Sequence, residues 1–243
     1  MTVQMRMIII MMVLLGTTMS KAQKNVDHQN LLWTRYALKL KFNDRWSASQ
    51  EIEECTYWFP WRQHQFVTRT MGRYHFENGF GIGAGVAYFR QSLPQDPEAD
   101  VNYTQPELRS EFELTYMHSL SEKLSMNHRY WNELRYFKEE GKDYEYGNMR
   151  MRYRLELQYK HSESLSFRAF DEIFINLGEN IVNNTFDQNR YGASIQYMPI
   201  KNFGLELGYI NWFQQRPSGV DFYNRNIVRL TVHHTIDVSK KTK

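Results

Sequence analysis

The chain of 243 residues contains a single cysteine, Cys55, which excludes an internal disulfide and a cysteine-built metal cluster. It carries little net charge, and +3 at neutral pH is too mild a balance to argue for a nucleic-acid partner. No apolar run reaches the roughly 20 residues that a transmembrane helix needs. Phosphate-cradling glycine loops, zinc-ligand spacings and dinucleotide fingerprints are also missing, so no cofactor and no metal is expected. The adjacent His233 and His234 do not change this, because neighbours on a strand point to opposite faces and cannot share one ion. Any residence in a membrane must therefore come from strands.

What is present begins at the N-terminus. Arg6 precedes an apolar run over 8–15, and small and polar residues follow as far as Ser20-Lys21-Ala22. That order is the order of a secretory signal peptide, with cleavage expected after Ala22. The apolar run is too short for a membrane anchor. Gln23, and not a cysteine, stands immediately after the cleavage point, which argues against a lipoprotein. The expected divisions are a signal peptide over 1–22, a polar segment over 23–31, a barrel over 32–238 and a basic tail over 239–243.

A mean hydropathy of -0.65 would suit a soluble protein. It suits a β-barrel with a polar interior equally well, because only alternate residues of each strand then face lipid. Aromatic residues make up 15% of the chain, with 16 Tyr, 15 Phe and 6 Trp, which points to interfacial girdles.

From Leu32 onward the sequence resolves into period-two segments separated by turn signals. Leu32, Thr34, Tyr36, Leu38, Leu40 and Phe42 oppose Arg35, Lys39 and Lys41. Trp46, Ala48 and Ile52 oppose Ser47, Ser49, Glu51 and Glu53, and Phe66 and Tyr74 alternate with Arg69 and Arg73. Asn78-Gly79 predicts a two-residue hairpin leading into Phe80, Ile82, Ala84, Val86 and Tyr88, whose opposite face is Gly81, Gly83 and Gly85. Those glycines leave room for long side chains from neighbouring strands. In the middle of the chain the pattern is clearest: Leu108, Phe112, Leu114 and Tyr116 against Glu107, Arg109, Glu111 and Glu113, and Met149 to Tyr159 against Arg150, Arg152, Arg154 and Glu156. Weaker repeats continue to Ile236, giving eleven candidate strands.

A soluble sandwich could bury such apolar faces between two sheets. Against it stand segments of ten residues or more, where globular strands usually run about five or six and tilted membrane strands about 9–11. Connections near Asn43, Asn78, Ser121, Glu163 and Ile200 read as short, and those near Pro60, Pro97, Gly141, Asn180 and Gly219 as longer, the asymmetry of an outer-membrane barrel. The expected fold is all-β, an antiparallel up-and-down transmembrane β-barrel of about 10–12 strands. Antiparallel closure asks for an even number, and residues 23–31 are too short and polar for a good extra strand. They are an irregular strand, a small plug, or a sign of a miscount.

Several motifs in order carry a family resemblance: Asn43-Asp44-Arg45-Trp46, Arg69-x-x-x-Arg73-Tyr74, Glu107-x-Arg109, and Met151-Arg152-Tyr153-Arg154-Leu155-Glu156. They continue with Phe170-Asp171-Glu172-Ile173-Phe174-Ile175-Asn176, Phe186-Asp187-Gln188-Asn189-Arg190 and Leu205-Glu206-Leu207-Gly208-Tyr209. The chain resembles the outer-membrane barrels catalogued as domain of unknown function 2490, over nearly all of its length past the signal. The resemblance implies a barrel and a bacterial outer-membrane location. It implies no activity. The C-terminus departs from a common barrel ending, since lysine-rich residues rather than an aromatic close the chain.

The main constellation is a ladder of inward charges: Arg69, Arg73, Arg109, Arg129, Arg135, Arg150, Arg152, Arg154, Arg168 and Arg190 with Glu107, Glu111, Glu133, Glu156, Glu172 and Glu206. Glu51, Glu53 and Glu113 belong to the same set. Arginine suits this role because its planar fork forms bidentate pairs with carboxylates. One reading is a structural polar core that at most accommodates a small ligand. A second is a narrow solute channel with slight anion preference. A third is a lipid-acting enzyme using Ser110, His128 and Asn132 on the outer face, although a turn near Ser121 would pair Ser110 with Asn132 and leave His128 about 13 Å away; no residue is assigned a catalytic role. Asp171 should face lipid unless a bulge or the interface relieves it. Expected partners are outer-membrane lipids, the barrel-assembly machinery and an unidentified small solute.

Overall fold

A computed structural model describes residues 24–101 and 103–239. The expected signal peptide and the lysines of the basic tail lie outside the described residues. Eleven strands run in order: β1 Asn25–Lys41, β2 Trp46–Tyr57, β3 Arg62–His75, β4 Phe80–Leu93, β5 Tyr103–Ser119, β6 Leu124–Lys138, β7 Tyr144–Lys160, β8 Leu165–Leu177, β9 Phe186–Ile200, β10 Phe203–Gln215 and β11 Asp221–Asp237. They form one closed barrel in which chain neighbours pair antiparallel.

The alternation predicted from the sequence sets which face is which. Ile82, Val86 and Phe112 are 48%, 60% and 50% exposed, whereas Glu111 and Glu133 are fully buried. Apolar side chains outside and charged ones inside is the reverse of a soluble core, and it is the arrangement a lipid solvent demands. The protein is a transmembrane β-barrel. Aromatic contacts run round the rim where the short turns lie: Trp46 with Tyr74 at 4.9 Å, Tyr74 with Phe76 at 4.9 Å, and Phe80 with Tyr116 at 4.5 Å.

The odd count is resolved at a seam. β1 and β11 pair parallel, from Asn25 opposite Asp221 to Lys41 opposite Asp237. A ring of eleven strands must contain one such pair, because strictly alternating directions close only with an even number. The polar stretch before Leu32 is therefore neither plug nor extra strand; it is the first part of β1. Its alternation is hidden because both of its faces are polar at that height. Gln29 points inward and accepts from Arg225 Nε at 2.7 Å, while Asn30 on the other face accepts from Asn226 Nδ2 at 3.3 Å.

Three local expectations need correction. The turn at Asn78-Gly79 is longer than two residues: Phe76 N bonds Phe80 O at 2.8 Å, closing a loop of Glu77, Asn78 and Gly79. Only Gly79 takes a positive φ, of 86°, and a Cβ there would strike the Met117 carbonyl oxygen, so glycine is required at that one position. The connection through Pro60 spans only 58–61 and is no longer than the turn at 42–45. Asp171 sits in regular register opposite Leu155 and Tyr191, and the β8–β9 irregularity falls between Phe174 and Ile175 instead. Its outward carboxylate is met by Asn189 Nδ2 at 3.0 Å, so a cross-strand amide, rather than a bulge, relieves it.

Candidate functional site

The strands aim their alternate residues into one lumen, and its charged ladder is braced between strands that are adjacent or next but one in the ring. Register alone would make the β5–β6 pair unfavourable, since Arg109 lies opposite Arg135 and Glu111 opposite Glu133. Diagonal contacts remove the conflict. Glu107 takes Arg109 Nε and Arg135 Nε at 2.6 Å each. Glu133 takes Arg150 at 2.5 Å, Arg152 at 2.7 Å and Arg109 at 3.3 Å. Glu172 takes Arg129 and Arg152 at 2.8 Å each, with Arg154 at 3.8 Å.

Smaller knots flank this centre. Arg69 bridges Glu111 at 2.8 Å, Glu51 at 2.9 Å and Glu53 at 3.2 Å, and Arg73 meets Glu113 at 2.8 Å. Glu206 gathers Arg168 and Arg229 at 3.0 Å and His233 at 2.9 Å. Arg154 and Glu156 pair along β7. Buried charges of both signs this close hold each other in place, because each would otherwise face several kcal/mol of desolvation.

One predicted member departs from the ladder. Arg190 lies directly across from Glu172 in the β8–β9 register, but Arg129 and Arg152 already hold that carboxylate. Arg190 turns instead onto Trp212, 4.1 Å from the ring, with Phe174 at 4.9 Å and Trp33 at 5.5 Å. Arg225, Arg229 and Asp187 were missed in the sequence. Asp187 joins Arg150 at 2.9 Å. Arg229 could have been read from its phase, between the outward Val228 and Leu230. Arg225 lies in a stretch where Asn224 and Asn226 blur the outer face.

Arg225 organises the mouth on the long-loop side. It is fully buried and donates to Gln29 at 2.7 Å and to Gln214 and Gln95 at 2.5 Å each. Gln95 belongs to the loop segment 94–101, which Gln29 also binds through the Gln95 carbonyl at 2.8 Å. Arg62 holds the same loop through the carbonyls of Pro97 at 2.9 Å and Ala99 at 2.6 Å. The loop is thereby tied down at the barrel mouth. Beneath it remains a cavity of about 150 Å³ lined by Trp33, Arg35, Gln188, Arg190, Trp212 and the braced wall.

The outer-face trio is not assembled. β5–β6 register sets Ser110 against Leu134, Asn132 against Phe112 and His128 against Tyr116. The expected pairing of Ser110 with Asn132 is thus displaced by two residues. His128 lies six residues along from the position opposite Ser110, about 20 Å away, and its Nδ1 is engaged by Tyr153 OH at 2.9 Å. His233 and His234 diverge as their adjacency requires, one to Glu206 inside and the other to Tyr36 OH outside at 2.8 Å.

Comparison with known proteins adds the following. Two structures of the KdgM porin, one in complex with disordered oligogalacturonate, are each 13% identical; each comparison covers 72% of this chain and 81% of theirs, with TM-scores of 0.43 for the complex and 0.40. The CymD monoaromatic hydrocarbon channel is 9% identical, with 73% of this chain and 66% of that one covered and a TM-score of 0.37. No curated protein matches the chain. Residues 30–224 match the family described as protein of unknown function DUF2490, and the chain belongs to that family.

Proposed function

We propose that the protein is an outer-membrane β-barrel, exported by a leader cleaved after Ala22, whose lumen accommodates a small solute without forming a wide diffusion pore. The single observation that carries this reading is the brace at Glu133. A fully buried carboxylate on β6 holds three guanidiniums, and they link it in turn to Glu107 on β5 and Glu172 on β8, filling that stretch of the interior. With the wall filled in this way, the cavity beside it measures about 150 Å³, and the loop 94–101 is tied at the mouth. The apolar outer face and its aromatic rim fit lipids as the surrounding partner.

Reconstitution into planar bilayers tests the reading. The folded full chain is expected to show no steady ohmic conductance of a porin kind. A persistent open-channel current, or liposome swelling with disaccharide-sized solutes, would sink it.

A further inference from the structure

The cavity's arginines fall into two groups. Most are locked to carboxylates, but Arg35 and Arg190 make no ion pair within 4 Å among the described residues, although both line the same space. Their places in the strand register match. Arg35 on β1 lies directly across from Glu53, and that carboxylate is held by Arg69 at 3.2 Å. Arg190 on β9 lies directly across from Glu172, which Arg129 and Arg152 hold. In each case the nearest acceptor in register has been taken by another arginine. Trp33 links the two, since it precedes Arg35 by one inward position and has Arg190 5.5 Å from its ring.

The donors that line the cavity show the same shortage. Eight buried nitrogens of the cavity lining have no hydrogen-bond partner, among them Arg35 Nε, Arg190 Nε, Gln188 Nε2, Trp33 Nε1 and Trp212 Nε1. All eight are donors. Gln188 is itself fully buried and adjoins Arg190, whose terminal nitrogen reaches Gln188 Oε1 only at 3.4 Å. One carboxylate oxygen is also unpartnered, Glu111 Oε1 on β5, but that side chain is already engaged by Arg69. At this cavity the N–H groups therefore outnumber the free acceptors. Water relieves such a deficit poorly, because each molecule brings two further donors. An oxyanion brings acceptors only, and a carboxylate matches the guanidinium fork with two parallel bonds.

We propose that the chamber between Arg35 and Arg190 is a binding site for a small oxyanion, carboxylate or phosphate in type, with Arg35 and Arg190 as its charge partners and Gln188 as a neutral donor. A cavity of about 150 Å³ has room for an anion of a few heavy atoms. The proposal rests on the reading of a solute-accommodating lumen and names the class of that solute.

The test uses the folded full chain in detergent and follows tryptophan fluorescence, since Trp33 and Trp212 border the chamber. Acetate, succinate and inorganic phosphate are the probes, with glycerol and choline as neutral and cationic controls. At least one oxyanion should give a saturable change that neither control gives. Arg190→Gln and Arg35→Gln should each weaken it about tenfold or more, while Arg168→Gln, outside the chamber, should change it by less than about twofold. Heat-modifiable gel mobility verifies the fold of each variant, and Arg190→Lys, which keeps charge without the fork, supplies an intermediate case if Arg190→Gln does not fold. No saturable response, an equal response to glycerol or choline, or affinities unmoved by both arginine changes would overturn the proposal. A conducting barrel that still bound oxyanions would remove the closed-lumen reading and leave this site standing.

Discussion

The two sides of the lumen use the same residue in opposite ways. Across β5–β8, arginine is matched to carboxylate: Glu107, Glu133 and Glu172 each hold two or three guanidiniums at 2.5–3.8 Å. Across β9–β11, Arg190 and Arg225 have no carboxylate within ion-pair distance among the described residues and lie on Trp212 at 4.1 Å and 4.4 Å. The first side is a closed electrostatic circuit, in which removing one member exposes another buried charge. Around Trp212 the second is held by ring faces and neutral amides, contacts worth roughly 0.5–2 kcal/mol each, with Arg229 bound to Glu206 elsewhere on the same strands. Rigidity belongs to the acidic side and unfilled binding capacity to the aromatic side.

Mutations that separate the two sides test this contrast. Glu133→Gln should do the most damage, because three arginines lose their shared carboxylate; a loss of about 3–5 kcal/mol is expected from urea unfolding in detergent. Arg225→Ala should cost about 2 kcal/mol, from its bonds to Gln29, Gln95 and Gln214. Its clearer readout is faster protease cleavage within 94–101, and an unchanged cleavage rate would show that Arg225 does not tie the loop. On the outer face the sign reverses. Asp171→Leu removes a carboxylate from the lipid surface and should stabilise the barrel by roughly 1 kcal/mol, visible as a raised urea midpoint.

The acidic side was legible in the sequence because its strands keep strict phase. Arg150, Arg152 and Arg154 alternate with Met149, Met151 and Tyr153, so orientation follows from counting. Partner choice was not legible, since it depends on diagonals: register puts Glu172 beside Arg190, and only side-chain reach decides that Arg129 and Arg152 take it. The seam was hidden for a related reason. Between Asn25 and Asn30 the inward residues meet the polar mouth and the outward ones meet other amides, so hydrophobic periodicity carries no signal there. His64 shows a further limit. It is fully buried at the β2–β3 irregularity between Cys55 and Thr56, set edge-on to Tyr57 at 5.3 Å and Trp212 at 5.6 Å, and a one-residue bulge is invisible to period-two counting.

The central contrast is measured most directly by the unfolding free energies of Arg152→Gln and Arg190→Gln, determined side by side in the same detergent. Arg152 joins Glu133 at 2.7 Å to Glu172 at 2.8 Å, whereas Arg190 joins no carboxylate at ion-pair distance. The first change should cost about 3 kcal/mol and the second at most about 1 kcal/mol. Equal losses, or a larger loss at Arg190, would contradict the division of the lumen into a braced side and an unfilled one.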